Sequence, residues 1–146
     1  MAEAQRRAEV AWEGNLQNGS GTFDLASSGV LERSAVSFAT RAEDPDGQTS
    51  PEELIAAAHA SCYAMAFSNV LGEGGNDPEK LDVSATCTLD LDNLKISTVE
   101  LNVRGRVPGM DQGQFEEAAQ EAEQLCPVSN ALRGNVEIEL NASLES

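Results

Sequence analysis

The chain has 146 residues, the size of one compact domain, and it is read as a single domain spanning 1–146. Asp and Glu number 25 against nine Lys and Arg, a formal charge of −16. Phosphate binding depends on clustered Lys and Arg, so this balance excludes nucleic acid as a favoured partner and makes anionic membrane surfaces poor ones. Three widely spaced cysteines do not make a secreted disulfide framework. The charged start, Met1-Ala-Glu-Ala-Gln-Arg-Arg, does not read as a secretory leader. A cytoplasmic protein with reduced thiols is expected.

The first forty residues read as short strands. Ala8, Val10 and Trp12 alternate with Glu9, Ala11 and Glu13; a glycine-rich turn follows, then Thr22 to Ala26. Val36, Phe38 and Thr40 alternate with Ser37, Ala39 and Arg41, which predicts a further strand. Glu43-Asp-Pro-Asp-Gly-Gln is turn chemistry.

A long helix is predicted next. Ser50 suits an N-cap, Pro51 the first helical position, and Glu53 completes a capping box. The body from Leu54 to Phe67 is apolar nearly all round and reads as a buried core helix, not a membrane span. It should end near Leu71-Gly-Glu-Gly-Gly.

Leu81, Val83, Ala85, Cys87, Leu89 and Leu91 then alternate with polar residues, as do Val99, Leu101 and Val103 across a turn at Asp92-Asn93. Gln114 to Leu125 reads as an acidic amphipathic helix with Phe115, Ala118, Ala122 and Leu125 on its inner side. Cys126-Pro127 breaks it and starts a short helical turn, and a last strand buries Val136, Ile138, Leu140 and Ala142. This order predicts an α+β fold of mostly antiparallel sheets packed around a long buried helix. One chain of this length has too little sheet to cover that helix on every side, so a homodimer is expected.

The cysteines carry the candidate chemistry. Cys87 lies on the apolar face of its strand and reads as core. Cys62 sits mid-helix; surrounded by apolar groups it would be inert, and a nearby cation is needed to make it reactive. Arg41, on the polar face of its predicted strand, is a candidate cation, and Glu52 could hold its guanidinium. Cys126 is different, because Pro127 at a first helical position puts it at an N-cap, where free N–H groups favour thiolate. His59, the lone histidine, stands three residues before Cys62. It reads either as half of a Cys–His hydrolase pair or, more ordinarily, as a hydrogen-bonded structural residue. Metal-ligand spacings and a phosphate-cradling glycine loop are both lacking.

Thr49-Ser-Pro-Glu-Glu-Leu-Ile-Ala-Ala-Ala-His-Ala-Ser-Cys and Leu125-Cys-Pro-Val-Ser-Asn-Ala-Leu resemble the OsmC/Ohr peroxidase family. So do Ala11-Trp-Glu-Gly, Gly19-Ser-Gly-Thr and Phe38-Ala-Thr-Arg, and the Ala-His-Ala-Ser-Cys and Trp-Glu-Gly forms favour the OsmC branch. The resemblance implies an intertwined α+β homodimer that reduces organic hydroperoxides, and hydrogen peroxide less well, without metal or other cofactor. It makes Cys62 the peroxidatic cysteine, Cys126 the resolving one, Arg41 the thiolate-stabilising arginine and Glu52 the residue that orients it. A Cys62–Cys126 disulfide and a lipoyl-type or small dithiol reductant are implied in the same way. The competing reading is a redox-responsive sensor that uses the same disulfide as a switch for a partner. The acidity serves no step of peroxide chemistry and points to a high-salt setting, or simply to a soluble acidic surface.

Overall fold

The computed structural model describes residues 2–145. The chain forms two compact units, Met1–Pro51 and Glu52–Ser146.

In the first unit, β1 (Glu9–Glu13), β2 (Ser20–Asp24) and β3 (Ser34–Val36) form an antiparallel sheet in the order β1-β2-β3. Trp12 pairs with Gly21, and its ring would lie 2.7 Å from a Cβ at that position. Glycine there lets the indole lie flat across the neighbouring strand. The third predicted strand stops short. After Val36 the chain turns into a one-turn helix, α1 (Phe38–Ala42), so Arg41 sits in the last turn of a helix and not on a strand face. Local hydrogen bonding decides it: Ser37 caps the helix by accepting from the Thr40 N–H, and the two hydroxyls meet at 2.8 Å.

α2 (Pro51–Glu73) begins at the proline the sequence marks and, from Glu52 on, belongs to the second unit. At its other end Asn76 N–H reaches back to the Leu71 carbonyl at 2.9 Å, with Gly75 at φ +80. That is the glycine-terminated helix end foreseen. β4 (Lys80–Asp90) and β5 (Lys95–Arg106) pair antiparallel. Then come α3 (Gln112–Leu125) and α4 (Pro127–Leu132), and β6 (Glu137–Leu144) returns parallel to β5. Three of the four strand pairings are antiparallel, and the parallel one follows from the α3–α4 crossover.

Alternation works as expected in this sheet, with Val99, Leu101 and Val103 buried on its inner face. Against them α2 sets Tyr63, Phe67 and Leu71, and α3 sets Phe115, Ala119 and Ala122. Phe67 lies between Tyr63 and Phe115, with ring centroids at 5.7 and 4.9 Å. One expectation is corrected. Leu125 is exposed, and Glu123 is buried in its place. As expected, the second unit does not by itself enclose the apolar helix α2: Ala57, Ala58, Ser61 and Met65 are exposed, Met65 at 72%. By length and composition alone α2 is apolar enough to cross a membrane, yet its inner face is a core face packed on a sheet.

Candidate active site

α2 and α4 bring two of the predicted site residues together. Cys62 projects from the inner side of α2, half-buried against the core. Cys126 is fully buried at the elbow between α3 and α4, where it ends one helix and N-caps the next. The elbow forms because Pro127 cannot continue α3: it lacks the N–H that helix would require, and its ring disfavours helical backbone at Cys126. Cys126 accordingly sits at φ −75, ψ 116.

The same proline decides which donors remain. Pro127 has none, so the first turn of α4 offers the N–H groups of Val128 and Ser129. Ser129 N–H donates to Cys126 Sγ at 3.5 Å. The Val128 N–H lies close enough to Cys62 to favour its thiolate, and the Cys126 side chain close enough to oppose it. Both sulfurs therefore lie at one helix start. Burial still pushes the Cys62 thiol up; the Val128 N–H opposes that shift and the Cys126 sulfur adds to it. Among the described residues of this unit, no cation contributes to lowering the Cys62 thiol.

A buried polar cluster lies behind the pair. His59 and Ser129 are both fully buried, and His59 Nε2 meets Ser129 Oγ at 2.7 Å. The ring therefore bonds to Ser129, and the ordinary structural reading of the lone histidine holds over the Cys–His pair. Burial holds the His59 pKa down, and the Glu123 carboxylate works against that. Tyr63, also fully buried, donates to the Ala119 carbonyl at 2.8 Å. Its phenol is pushed up by burial first, then by Glu123 and Cys126. Glu123 is held by Arg133, whose Nη1 donates to its Oε1 at 2.7 Å and whose Nη2 donates to its backbone carbonyl at 3.0 Å.

The other predicted residues are carried by α1, the start of α2 and β4. Arg41 is in the first unit, on α1. Glu52 is buried in the first turn of α2, and its charge acts on Cys87. Cys87 is half-buried on the inner face of β4, and burial and then Glu52 push its thiol up, which suits an inert thiol. Sequence reasoning missed Val128, Ser129, Tyr63 and Glu123. The one available signal was position: two residues after a helix-starting Cys-Pro, a backbone N–H must face the cap.

A family model described as OsmC-like protein matches residues 44–141. Peroxiredoxin OsmC of Escherichia coli (strain K12) is 40% identical over 143 residues, covering 97% of each chain. The organic hydroperoxide resistance protein of Xanthomonas axonopodis pv. citri is 32% identical over 98 residues, 63% of this chain and 65% of that one. The crystal structure of an organic hydroperoxide resistance protein OsmC from Legionella pneumophila matches with a TM-score of 0.66 at 25% identity, covering 97% of this chain and 99% of that one. Matched by that family model over residues 44–141 and 40% identical to such a relative over 143 residues, the chain belongs to the OsmC family.

Proposed function

We propose that the chain is a cysteine-based peroxidase that reduces organic hydroperoxides, and hydrogen peroxide less well, in defence against oxidative and osmotic stress. The observation that carries the reading is the meeting of two sulfurs at one helix start: Cys126 caps α4 and accepts from the Ser129 N–H, and Cys62 lies close enough for the Val128 N–H and the Cys126 sulfur to act on its thiol. The Cys62 thiolate attacks the distal peroxide oxygen; the O–O bond breaks, the alkoxide leaves and takes a proton as alcohol, and Cys62 becomes a sulfenic acid. Cys126 then attacks the sulfenic sulfur, forming the disulfide and releasing water. A dithiol of the lipoyl or small-thiol class restores both thiols by exchange and is itself oxidised to a disulfide.

Burial pushes the Cys62 thiol up, so the cycle needs a cation. The Phe38-Ala-Thr-Arg motif supports Arg41 in that role, with Glu52 holding its guanidinium. The uncovered apolar side of α2, Met65 included, supports a homodimer in which a second copy completes the enclosure. Thiols that cycle through a dithiol donor suit a reducing compartment, which supports a cytoplasmic location.

The test is single-turnover oxidation of the reduced protein with cumene hydroperoxide, followed by intact mass and peptide mapping. Loss of two hydrogens with a Cys62–Cys126 cross-link is expected. Cys62→Ser should abolish turnover, while Cys126→Ser should allow one oxidation and then stall. Multi-turnover activity in Cys62→Ser would overturn the reading.

A further inference from the structure

We propose that His59 and Ser129 form a clasp that positions Cys126 for the second step of the cycle, capture of the Cys62 sulfenic acid. The inference rests on the reading of Cys62 and Cys126 as the reacting pair.

The clasp joins the two elements that carry the sulfurs. His59 and Cys62 are three residues apart on α2 and face the same way, toward α4. Ser129 is the third residue of α4 and holds two contacts at once: its hydroxyl bonds to His59 at 2.7 Å, and its N–H donates to Cys126 Sγ at 3.5 Å. Ser129 thus connects the side chain of the Cys62 helix directly to the resolving sulfur. The far side of the elbow is pinned separately, by Arg133 on Glu123.

His59 carries the sign of a residue kept for one bond. Its Nδ1 is buried and has no hydrogen-bond partner among the described residues. A buried ring nitrogen without a partner is unfavourable, and an apolar side chain of similar volume would avoid that cost. Packing alone would therefore favour phenylalanine or leucine at position 59. What histidine adds is the bond to Ser129.

Disulfide formation tolerates little displacement, because the sulfurs must close to about 2.05 Å with a defined dihedral. A shift of about 1 Å in a reacting group can cost on the order of a hundredfold in rate. Peroxide attack at Cys62 does not require Cys126 in place, so the clasp should act on the second step and spare the first. His59 and Ser129 are positioning residues in this scheme.

The test separates the steps. Reduced protein is mixed with one equivalent of cumene hydroperoxide, quenched at intervals, and scored by mass for dimedone-trapped sulfenic acid and for disulfide. In Ser129→Ala the ratio of the second rate constant to the first should fall at least about tenfold. Ser129→Thr, which keeps the hydroxyl, should recover most of it. His59→Phe breaks the bond from the other end; it should match Ser129→Ala, and the double variant should be no slower than either. A merely structural role would lower unfolding midpoints without changing that ratio. An unchanged ratio in both single variants, with the wild type cross-linking normally, overturns the clasp alone. Failure of the wild type to cross-link Cys62 to Cys126 overturns the underlying reading, and the clasp with it.

Discussion

Arg133→Met tests the elbow that presents Cys126. The change keeps most of the side-chain stem and removes the charge, together with bonds to Glu123 Oε1, the Glu123 carbonyl and Asn130 Oδ1, at 2.7, 3.0 and 3.1 Å. The Glu123 side chain, 11% exposed, is left with a neutral donor, Gln124 Nε2 at 2.9 Å. Removing one partner of a fully buried ion pair costs about 3–5 kcal/mol, because the other charge stays buried and uncompensated. The Arg133 side chain is 38% exposed, so water enters where it stood. That reduces the expected loss to about 2 kcal/mol. Urea unfolding of the reduced protein at pH 7 measures it, with all variants at one protein concentration so that any association is held constant. The companion variant is Arg133→Met with Glu123→Gln, which removes the stranded charge and should recover at least about 1 kcal/mol of the loss. A loss under about 0.5 kcal/mol in the single variant, or a double variant as unstable as the single, would refute the argument that a stranded carboxylate sets the cost.

Burial holds the His59 pKa below its ordinary 6.5, so the unfolded chain takes up a proton first and stability falls as pH drops below that value. His59→Gln should flatten unfolding free energy between pH 7.5 and 5.5, by at most about 1.4 kcal/mol per pH unit; parallel curves would count against a buried neutral ring. In Gly105→Ala the new Cβ would meet the Phe115 ring at 2.6 Å and Leu81 at 3.0 Å. Phe115 is fully buried against Phe67, so overpacking should cost about 1–3 kcal/mol, and adding Phe115→Leu should relieve part of it; strict additivity would show that the ring moves freely. The charge of −16 repels itself, so molar KCl should raise the thermal midpoint relative to low salt; an unmoved midpoint would mean that the surface is only acidic, not salt-adapted.

The elements that could be read from sequence share a physical cause. β4 and β5 each wet one face and bury the other, so Val83, Ala85 and Leu101 announce their side through period-two spacing. α2 announces its start through Ser50-Pro51, and α4 through Cys126-Pro127, because proline limits the backbone locally whatever lies around it. Where alternation and local hydrogen bonding compete, alternation misleads. Ser37 to Arg41 alternates like a strand, yet the Ser37 hydroxyl and the Thr40 N–H close a helical turn of five residues, too short for any period to register. Which side of α2 faces inward was equally hidden, since alanine and larger apolar groups surround it. Glu123 is one of four glutamates in α3, and only the fold reveals that Arg133, ten residues on and past the elbow, comes back to meet it.

Cys62 precedes β4, β5 and α3 in the chain, and Cys126 follows them. A bond between the two would enclose a loop of roughly 65 residues and, on a chain-entropy view, deprive the denatured ensemble of about 4 kcal/mol of freedom. The oxidised molecule would then open more rarely than the reduced one, and proteases that act on opened chains would cleave it more slowly. Peroxide exposure would in this way lengthen the protein's own lifetime, and each reduction would return it to ordinary turnover.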